Sequence, residues 1–238
     1  MTPGLLVHVA LAAALAACSP RGDNTMQQDG VSKTSDEARR FWTAVRAVAQ
    51  PIGEGGHGYY PYQLRGEIQD QVRTLSHPLD VYRELLATER DPMWREVLVF
   101  LIAMTPDPRA DAMLIEALDA PGLRPRALYL LGVIGTKGWP SRPRDVPAIR
   151  AAVERFLDDH TPYVDIYERK LTFETADFAR AAYIRLVGLD RFPEIKDLAG
   201  LPDDPPGRFI GMSLPTFTSA DRARLDKAIA RLRASNAP

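Results

Sequence analysis

The sequence is poor in the residues that redox and metal sites require, and it has no excess of charge of either sign. It contains one cysteine and four histidines, and 30 basic residues stand against 31 acidic ones. A single cysteine excludes an intramolecular disulfide. The near-neutral balance argues against non-specific nucleic-acid binding, which needs a strong basic field to displace counterions. We therefore expect no nucleic-acid partner.

Motifs for the common catalytic chemistries are missing as well. No His-Glu-x-x-His, Gly-x-Ser-x-Gly or phosphate-binding Gly-Lys-Ser/Thr pattern occurs. The run 158–160, Asp-Asp-His, offers oxygen and nitrogen ligands, but it lies where a helix is predicted to end and has no second ligand cluster at metal-site spacing. His57 lies in a Gly- and Tyr-rich loop without the strand-to-helix context of an anion site. The sequence predicts neither a metal nor a cofactor.

Long apolar runs are also missing, apart from a short one near the amino terminus. Residues 5–17 are apolar except for His8, and the chain turns polar directly after Cys18. This stretch has the length of a signal-peptide core, whereas a membrane-spanning helix needs about 20 apolar residues. Residues 1–17 are therefore predicted to be a signal peptide that exports the protein.

The end of this stretch, Leu15-Ala16-Ala17-Cys18, resembles the lipobox of bacterial lipoproteins. The resemblance implies that a diacylglycerol is attached to the Cys18 sulfur, that the chain is cut just before Cys18, and that its new amino group carries a further acyl chain such as palmitate. Two or three lipid chains give durable attachment, because each buried methylene contributes about 0.8 kcal/mol. Ser19 after the cysteine implies the outer membrane, facing the periplasm, in a Gram-negative cell.

An alternative processing site stands beside the lipobox. Residues 14–16, Ala-Leu-Ala, also fit an ordinary signal peptidase, which would release a soluble protein beginning at Ala17. Residues 1–4 carry no Lys or Arg, which is irregular for a signal peptide. In either case residues 18–35, which are almost free of apolar side chains, are predicted to form a disordered tether ahead of a domain at 36–238.

Apolar residues in this domain recur at steps of three and four, the spacing of one helical face. The clearest sets begin at Ala38, Leu64, Val97, Val146 and Phe178. The segment 123–134 is apolar nearly all round, so it is predicted to be buried on every side. Asp91-Pro92 and Asp107-Pro108 each place a capping residue before a proline at a helix start. Since no long run alternates with period two, the fold class is predicted to be all-α.

The segment 126–135, Arg-Ala-Leu-Tyr-Leu-Leu-Gly-Val-Ile-Gly, is similar to the second helix of a HEAT-like repeat. Residues 180–189 resemble it more weakly, and the resemblance covers about residues 78–190. It implies an α-solenoid of irregular HEAT-like helix pairs. Insertions at 136–144 and 160–174 and the Pro-rich segment 190–217 interrupt the period, so an irregular helical bundle is the alternative.

Both insertions carry side chains that are common in binding hot spots. Insertions of a solenoid tend to lie on one face, and Trp, Tyr and Arg are enriched where partners bind. The candidate partner-binding residues are therefore Trp139, Arg142, Arg144, Tyr163 and Tyr167. The alternative is that these side chains fold back and pack on the core.

Two functions remain compatible with the sequence. The first is a membrane-anchored lipoprotein of the cell envelope that binds a protein partner or acts as a scaffold through a helical-repeat surface. The second is an envelope enzyme or enzyme accessory that acts on cell-wall material through carboxylates such as Asp165 and Glu168. Two carboxylates converging in a cleft, one of them in apolar surroundings, would favour the enzyme.

Overall fold

The fold was analysed in a computed structural model of the chain. It describes residues 25–48, 68–134, 141–163, 173–195, 198 and 217–235, and in the first of these segments the side chains of residues 36–47. Helices dominate these residues, which confirms the predicted all-α class. The longer elements are α1 Thr25–Val48, α2 at residues 68–73, α3 Pro78–Thr88, α4 Pro92–Met104, α5 Arg109–Ala117, α6 Arg124–Val133, α7 Val146–Glu154, α8 Thr175–Val187 and α9 Ser219–Ser235.

Short elements complete the fold within the described residues. Two-residue strands, β1 (Pro162–Tyr163) and β2 (Phe173–Glu174), pair antiparallel. They bracket the second predicted insertion, for which the sequence showed no strand pattern. Single 3-10 turns follow α8 at Leu189–Arg191 and Pro193–Ile195.

Several helices, α4 and α7 among them, begin where a side chain replaces the missing backbone partners of the first turn. The Asp91 carboxylate accepts hydrogen bonds from the backbone N–H groups of Met93 and Trp94, at 2.9 and 3.4 Å, as the predicted cap requires. Asp107 accepts from the Arg109 N–H at 2.8 Å, but α5 begins at Arg109. Here the helix begins one residue later than the Asp107-Pro108 pattern predicted.

The first helix begins inside the segment predicted to be a disordered tether. α1 starts at Thr25 and runs without a break to Val48. Among residues 36–47, whose side chains are described, the first buried one is Ala38. A helix rises about 1.5 Å per residue, so the part formed by residues 25–35 is about 16 Å long. The domain boundary at residue 36 stays a prediction.

Beyond α1 the helices contact one another in two alternating rows. Successive helices pack as neighbours in the pairs α3–α4, α5–α6 and α7–α8, while α3, α5 and α7 also contact in series, as do α4, α6 and α8. α1 packs on α3 at one end, and α9 packs on α8 at the other. The core lies between the rows.

The most extensive contact joins α6 and α8, and it depends on Gly132. A Cβ atom at this position would lie 2.6 Å from the Ala182 Cα and 3.0 Å from its Cβ. Pro125 to Val133 are all buried, which explains why the predicted apolar stripe encircles α6. Small residues thus allow the backbones of α6 and α8 to approach closely.

Candidate functional site

The two arginines predicted to bind a partner are instead part of the interior. The Arg142 side chain is fully buried and that of Arg144 is only 9% exposed. Both guanidinium groups bind the carboxylate of Asp111 on α5, at 2.6 Å from Arg142 Nη2 and 2.9 Å from Arg144 Nε. This burial fits the alternative given above, in which these side chains fold back and pack on the core, and a partner-binding role for the two arginines stays a prediction.

Other donors of the two guanidinium groups bind carbonyl groups at helix ends. Arg142 Nη1 donates to the carbonyl oxygens of Ala103 and Thr105, at 2.8 and 2.7 Å, at the end of α4. Arg144 donates to Leu131 O at 2.9 Å and to Ile134 O, at the end of α6. Carbonyls in the last turn of a helix have no intrahelical donor. The two arginines therefore cap α4 and α6 and tie both to α5.

Tyr163 lies beside a second buried ion pair. Glu96 on α4 and Arg126 on α6 are almost completely buried, and the Glu96 carboxylate is 2.9 Å from Arg126 Nη2. The Tyr163 hydroxyl donates to the other Glu96 oxygen at 3.4 Å, and its ring packs edge-on against Phe178 at 5.3 Å. The residue is half-buried. Its contacts connect the β1–β2 insertion to the core, and a partner-binding role for it remains a prediction.

The other predicted site residues lie outside the residues that the structure describes. They are Cys18, Trp139 and Tyr167, together with the carboxylates Asp165 and Glu168 of the enzyme alternative. Lipid attachment at Cys18 and partner binding by the two aromatic residues therefore remain predictions.

The Asp-Asp-His run ends in ion pairs. Asp159 Oδ2 is 2.9 Å from Arg124 Nη1, and the His160 ring is 2.7 Å from the Glu174 carboxylate. Burial opposes ionisation of Asp159, but hydrogen bonds from Thr161 and Arg124 outweigh it and lower its pKa. Over the described part of the chain, no group of three or more His, Cys, Asp or Glu residues is arranged to hold a metal ion.

An open groove between α1 and α3 was not predicted from the sequence. Its volume is about 440 Å³, within the range of ligand-binding clefts. One wall comes from α1 and the other from α3. The lining residues are Ala38, Arg39, Trp42, Thr43, Arg46, Glu84, Leu85 and Thr88.

Two of the lining residues, Trp42 and Arg46, contact each other and the buried Trp94 of α4, which does not itself line the groove. The Arg46 guanidinium lies 5.6 Å from the Trp42 ring centre and 5.1 Å from that of Trp94, a cation–π arrangement. The two indoles meet edge-on at 5.4 Å. Tryptophan and arginine four residues apart lie on the same face of a helix, so the sequence contained a signal for this pair.

Glu89 binds both Trp42 and Arg46. Its carboxylate accepts a hydrogen bond from Trp42 Nε1 at 2.8 Å and binds the Arg46 guanidinium. Burial alone would raise the pKa of Glu89, but hydrogen bonds from the Asp91 backbone N–H, Trp42 and Arg46 together lower it. Glu89 is therefore ionised at neutral pH and fixes the arginine against the indoles.

A network of ion pairs joins α8 to α9. Asp177 is fully buried, and its two oxygens accept from Arg222 Nε and Nη2 at 2.9 and 2.7 Å. Arg180 on α8 donates to the two carboxylate oxygens of Asp226 on α9, at 2.6 and 3.2 Å. The hydrogen bond from His160 is the main reason that the pKa of Glu174 is lowered, and the charge of Arg222 adds to it. This network attaches the last helix to the domain.

In the part of the chain that the structure describes, no carboxyl group shows the raised pKa that a general acid needs. Those with a resolved change, Glu89, Asp107, Asp159 and Glu174, all have lowered pKa values. A general acid of the kind used on glycosidic bonds needs a carboxyl with a raised pKa. The arrangement seen here instead stabilises charged carboxylates beside arginines.

Comparison with known proteins adds no relative. The chain matches no protein-family model, no curated protein and no solved structure. None of the helices in the described segments is both long and apolar enough to cross a membrane.

Proposed function

We propose that the protein is a membrane-anchored lipoprotein of the cell envelope that binds a protein partner through its helical surface. The anchor is the lipid on Cys18, and the partner-binding surface is the groove between α1 and α3. The observation that carries the binding role is the pair Trp42 and Arg46, which both line the groove and contact each other. Tryptophan and arginine are the residue types most enriched where protein partners bind tightly.

We also propose that the domain is an α-solenoid of irregular HEAT-like helix pairs. The two rows of alternating helices support this arrangement, since stacked pairs in a solenoid contact mainly their neighbours. The HEAT-like segment supports it through two of its residues: Arg126 pairs with Glu96, and Gly132 contacts Ala182. A solenoid provides an extended surface, which fits a scaffold better than a compact reaction centre.

The position of α1 links the anchor to the groove. Six residues separate Cys18 from Thr25, the first residue of α1, and α1 supplies one wall of the groove. Lipid attachment would hold this end of the domain near the bilayer, whereas α9 lies at the opposite end of the helical array. The partner is therefore proposed to be an envelope protein that is itself at or near the membrane surface.

Site-specific photo-crosslinking in living bacteria tests the groove. A photoreactive residue replaces Thr43 on α1 or Glu84 on α3, and Ala151, exposed on α7, is the matched control position. We expect the same discrete crosslinked product from both groove positions and none from residue 151, with loss of the product when Trp42 is changed to Ala. Equal products from all three positions, or none from the groove, would overturn the binding role.

A further inference from the structure

One side chain of the groove between α1 and α3 is held in place while most of its donors stay unused. Arg46 Nη2 donates to the Glu89 carboxylate, and the Arg46 guanidinium lies against the Trp42 and Trp94 rings. In the part of the chain that the structure describes, Nε and Nη1 of Arg46 donate to no acceptor. The side chain is 44% exposed and lines the groove. Arg46 therefore presents fixed and unused donors to a molecule that enters the groove.

Other arginines of the domain show what such donors bind. Arg142 and Arg144 share one carboxylate and donate to carbonyl oxygens at the ends of α4 and α6. Arg124 pairs with Asp159 and donates from Nε to a backbone carbonyl just past the end of α5, at 2.8 Å. In each case a carboxylate fixes the guanidinium group, and its other donors bind carbonyls at a helix end. Arg46 has the carboxylate, but among the described residues no helix end reaches it.

We infer that the groove receives the carboxyl-terminal end of a helix of the protein partner, and that Arg46 caps the last carbonyl groups of that helix. This inference rests on the proposed binding role of the groove. The last four carbonyls of a helix have no donor within the helix, and the helix dipole places about half a negative charge there. A guanidinium group supplies several donors in a fixed plane, so it complements such an end in hydrogen bonding and in charge.

The dimensions of the groove fit one helix that enters end-on. Its α1 wall runs from Ala38 to Arg46, and this length of helix rises about 12 Å. A helix with its side chains is about 10 to 12 Å across, so one helix end spans the wall. The buried lining residues, Ala38, Trp42 and Leu85, are apolar. They can pack on the apolar residue that often follows a helix end.

The opposite wall predicts one feature of the partner. Glu84 on α3 lines the groove, and within the described residues its carboxylate forms no ion pair. Lysine and arginine are favourable in the last turn of a helix, where they face the negative end of its dipole. We expect such a residue in the last turn of the partner helix, where it would pair with Glu84.

Photo-crosslinking of the full chain in living bacteria, followed by peptide mapping, tests this inference. A photoreactive residue replaces Thr43 on the α1 wall of the groove. Mass spectrometry of the purified product then locates the partner residue that was captured. We expect that residue within about the last four positions of a helix, in a turn that contains Lys or Arg.

Three variants of the crosslinking chain measure the individual contacts, at expression levels where the product is not saturated. Arg46→Gln should lower the yield about tenfold, because it removes charge-assisted hydrogen bonds. Glu84→Gln should lower it about two- to fivefold, the effect of losing a partly exposed ion pair. Arg40→Gln is the matched control, since it removes one charge from an exposed position of α1 outside the groove. Its yield should change less than about twofold, because a distant exposed charge is screened by salt.

Circular dichroism should show the same helix content in all three variants. In Arg46→Gln the Glu89 carboxylate keeps its hydrogen bonds from Trp42 and two backbone N–H groups. A captured residue in the middle of a helix or in a strand, equal yields in Arg46→Gln and Arg40→Gln, or a higher yield in Glu84→Gln would overturn the helix-end inference and leave the binding role standing. No product from the otherwise wild-type chain would overturn both.

Discussion

At the scale of single residues, the buried arginines are structural. Arg126, Arg142 and Arg180 each meet a buried carboxylate, that of Glu96, Asp111 and Asp177 respectively. Burying an ion pair costs desolvation free energy that the pairing only roughly offsets, so such pairs add little net stability. Removing one partner is costly, because it leaves a buried charge without compensation.

Arg142→Ala should destabilise the fold by about 3 to 5 kcal/mol, because the buried Asp111 loses one of its two guanidinium partners and two carbonyls lose their donor. Urea unfolding followed by circular dichroism measures the change. Arg73→Ala is the control, since that exposed side chain pairs with the exposed Asp70 and should matter by at most about 1 kcal/mol. Equal midpoints for the two variants would show that Arg142 is not an internal cap.

The sequence could not reveal this role, for a physical reason. Helical periodicity reports which face of one helix is apolar, and it correctly marked Val97, Leu98, Leu101 and Ile102 as buried. The pairing of Arg142 with Asp111 joins positions 31 residues apart in two different segments. Arginine is common at interfaces, but it is equally suited to capping helix ends. The residue type of Arg142 therefore did not separate the two roles.

At the scale of helices, the contact between α6 and α8 depends on backbone approach. Gly132→Ala places a methyl group 2.6 Å from the Ala182 Cα, so the helices must move apart. Overpacking of this kind costs about 1 to 3 kcal/mol, whereas Gly→Ala inside a helix is otherwise favourable by about 0.5 to 1 kcal/mol. Thermal unfolding should therefore show a lower Tm for this variant.

Gly122→Ala is the matched control, because a Cβ atom there would meet nothing within 4 Å. Its Tm should stay unchanged or rise slightly, since alanine restricts the unfolded chain. The opposite order of the two Tm values would contradict the proposed close packing of α6 on α8. The HEAT-like sequence predicted small residues in α6, but only the structure identifies Ala182 as the partner.

Buried apolar residues and a network of ion pairs together attach the last helix to the domain. Asp177→Ala leaves Arg180 and Arg222 without their buried acceptor, so α9 should detach from α8 while α4 to α6 remain folded. Hydrogen exchange measured by mass spectrometry should show loss of protection over residues 219–235 and little change in α4 to α6. Asp119→Ala, at an exposed pair with Arg155, is the control and should leave both regions protected. Uniform loss of protection would mean that α9 is an inseparable part of the core.

At the scale of the whole molecule, the sequence predicted the helices better than it predicted the surfaces at which other molecules could bind. Apolar spacing identified the helices, because that spacing records burial directly. It did not identify the contact of Trp42 and Arg46 with Trp94, since α1 and α4 contribute to it from separate segments. It also gave no signal for a helix over residues 25–35, because they lack the apolar spacing that defines a buried face.

The same scale places the groove between α1 and α3 at the end of the array nearest the proposed lipid anchor, with α9 at the other end.

The most direct measurement of the central claim is the intact mass and membrane partitioning of the wild-type protein and a Cys18→Ala variant, expressed in a bacterium with the lipoprotein pathway. We expect a wild type that partitions into detergent, lacks residues 1–17 and carries the mass of acyl chains, and a variant without that mass. A water-soluble wild type beginning at Ala17 with a free thiol on Cys18 would contradict the account.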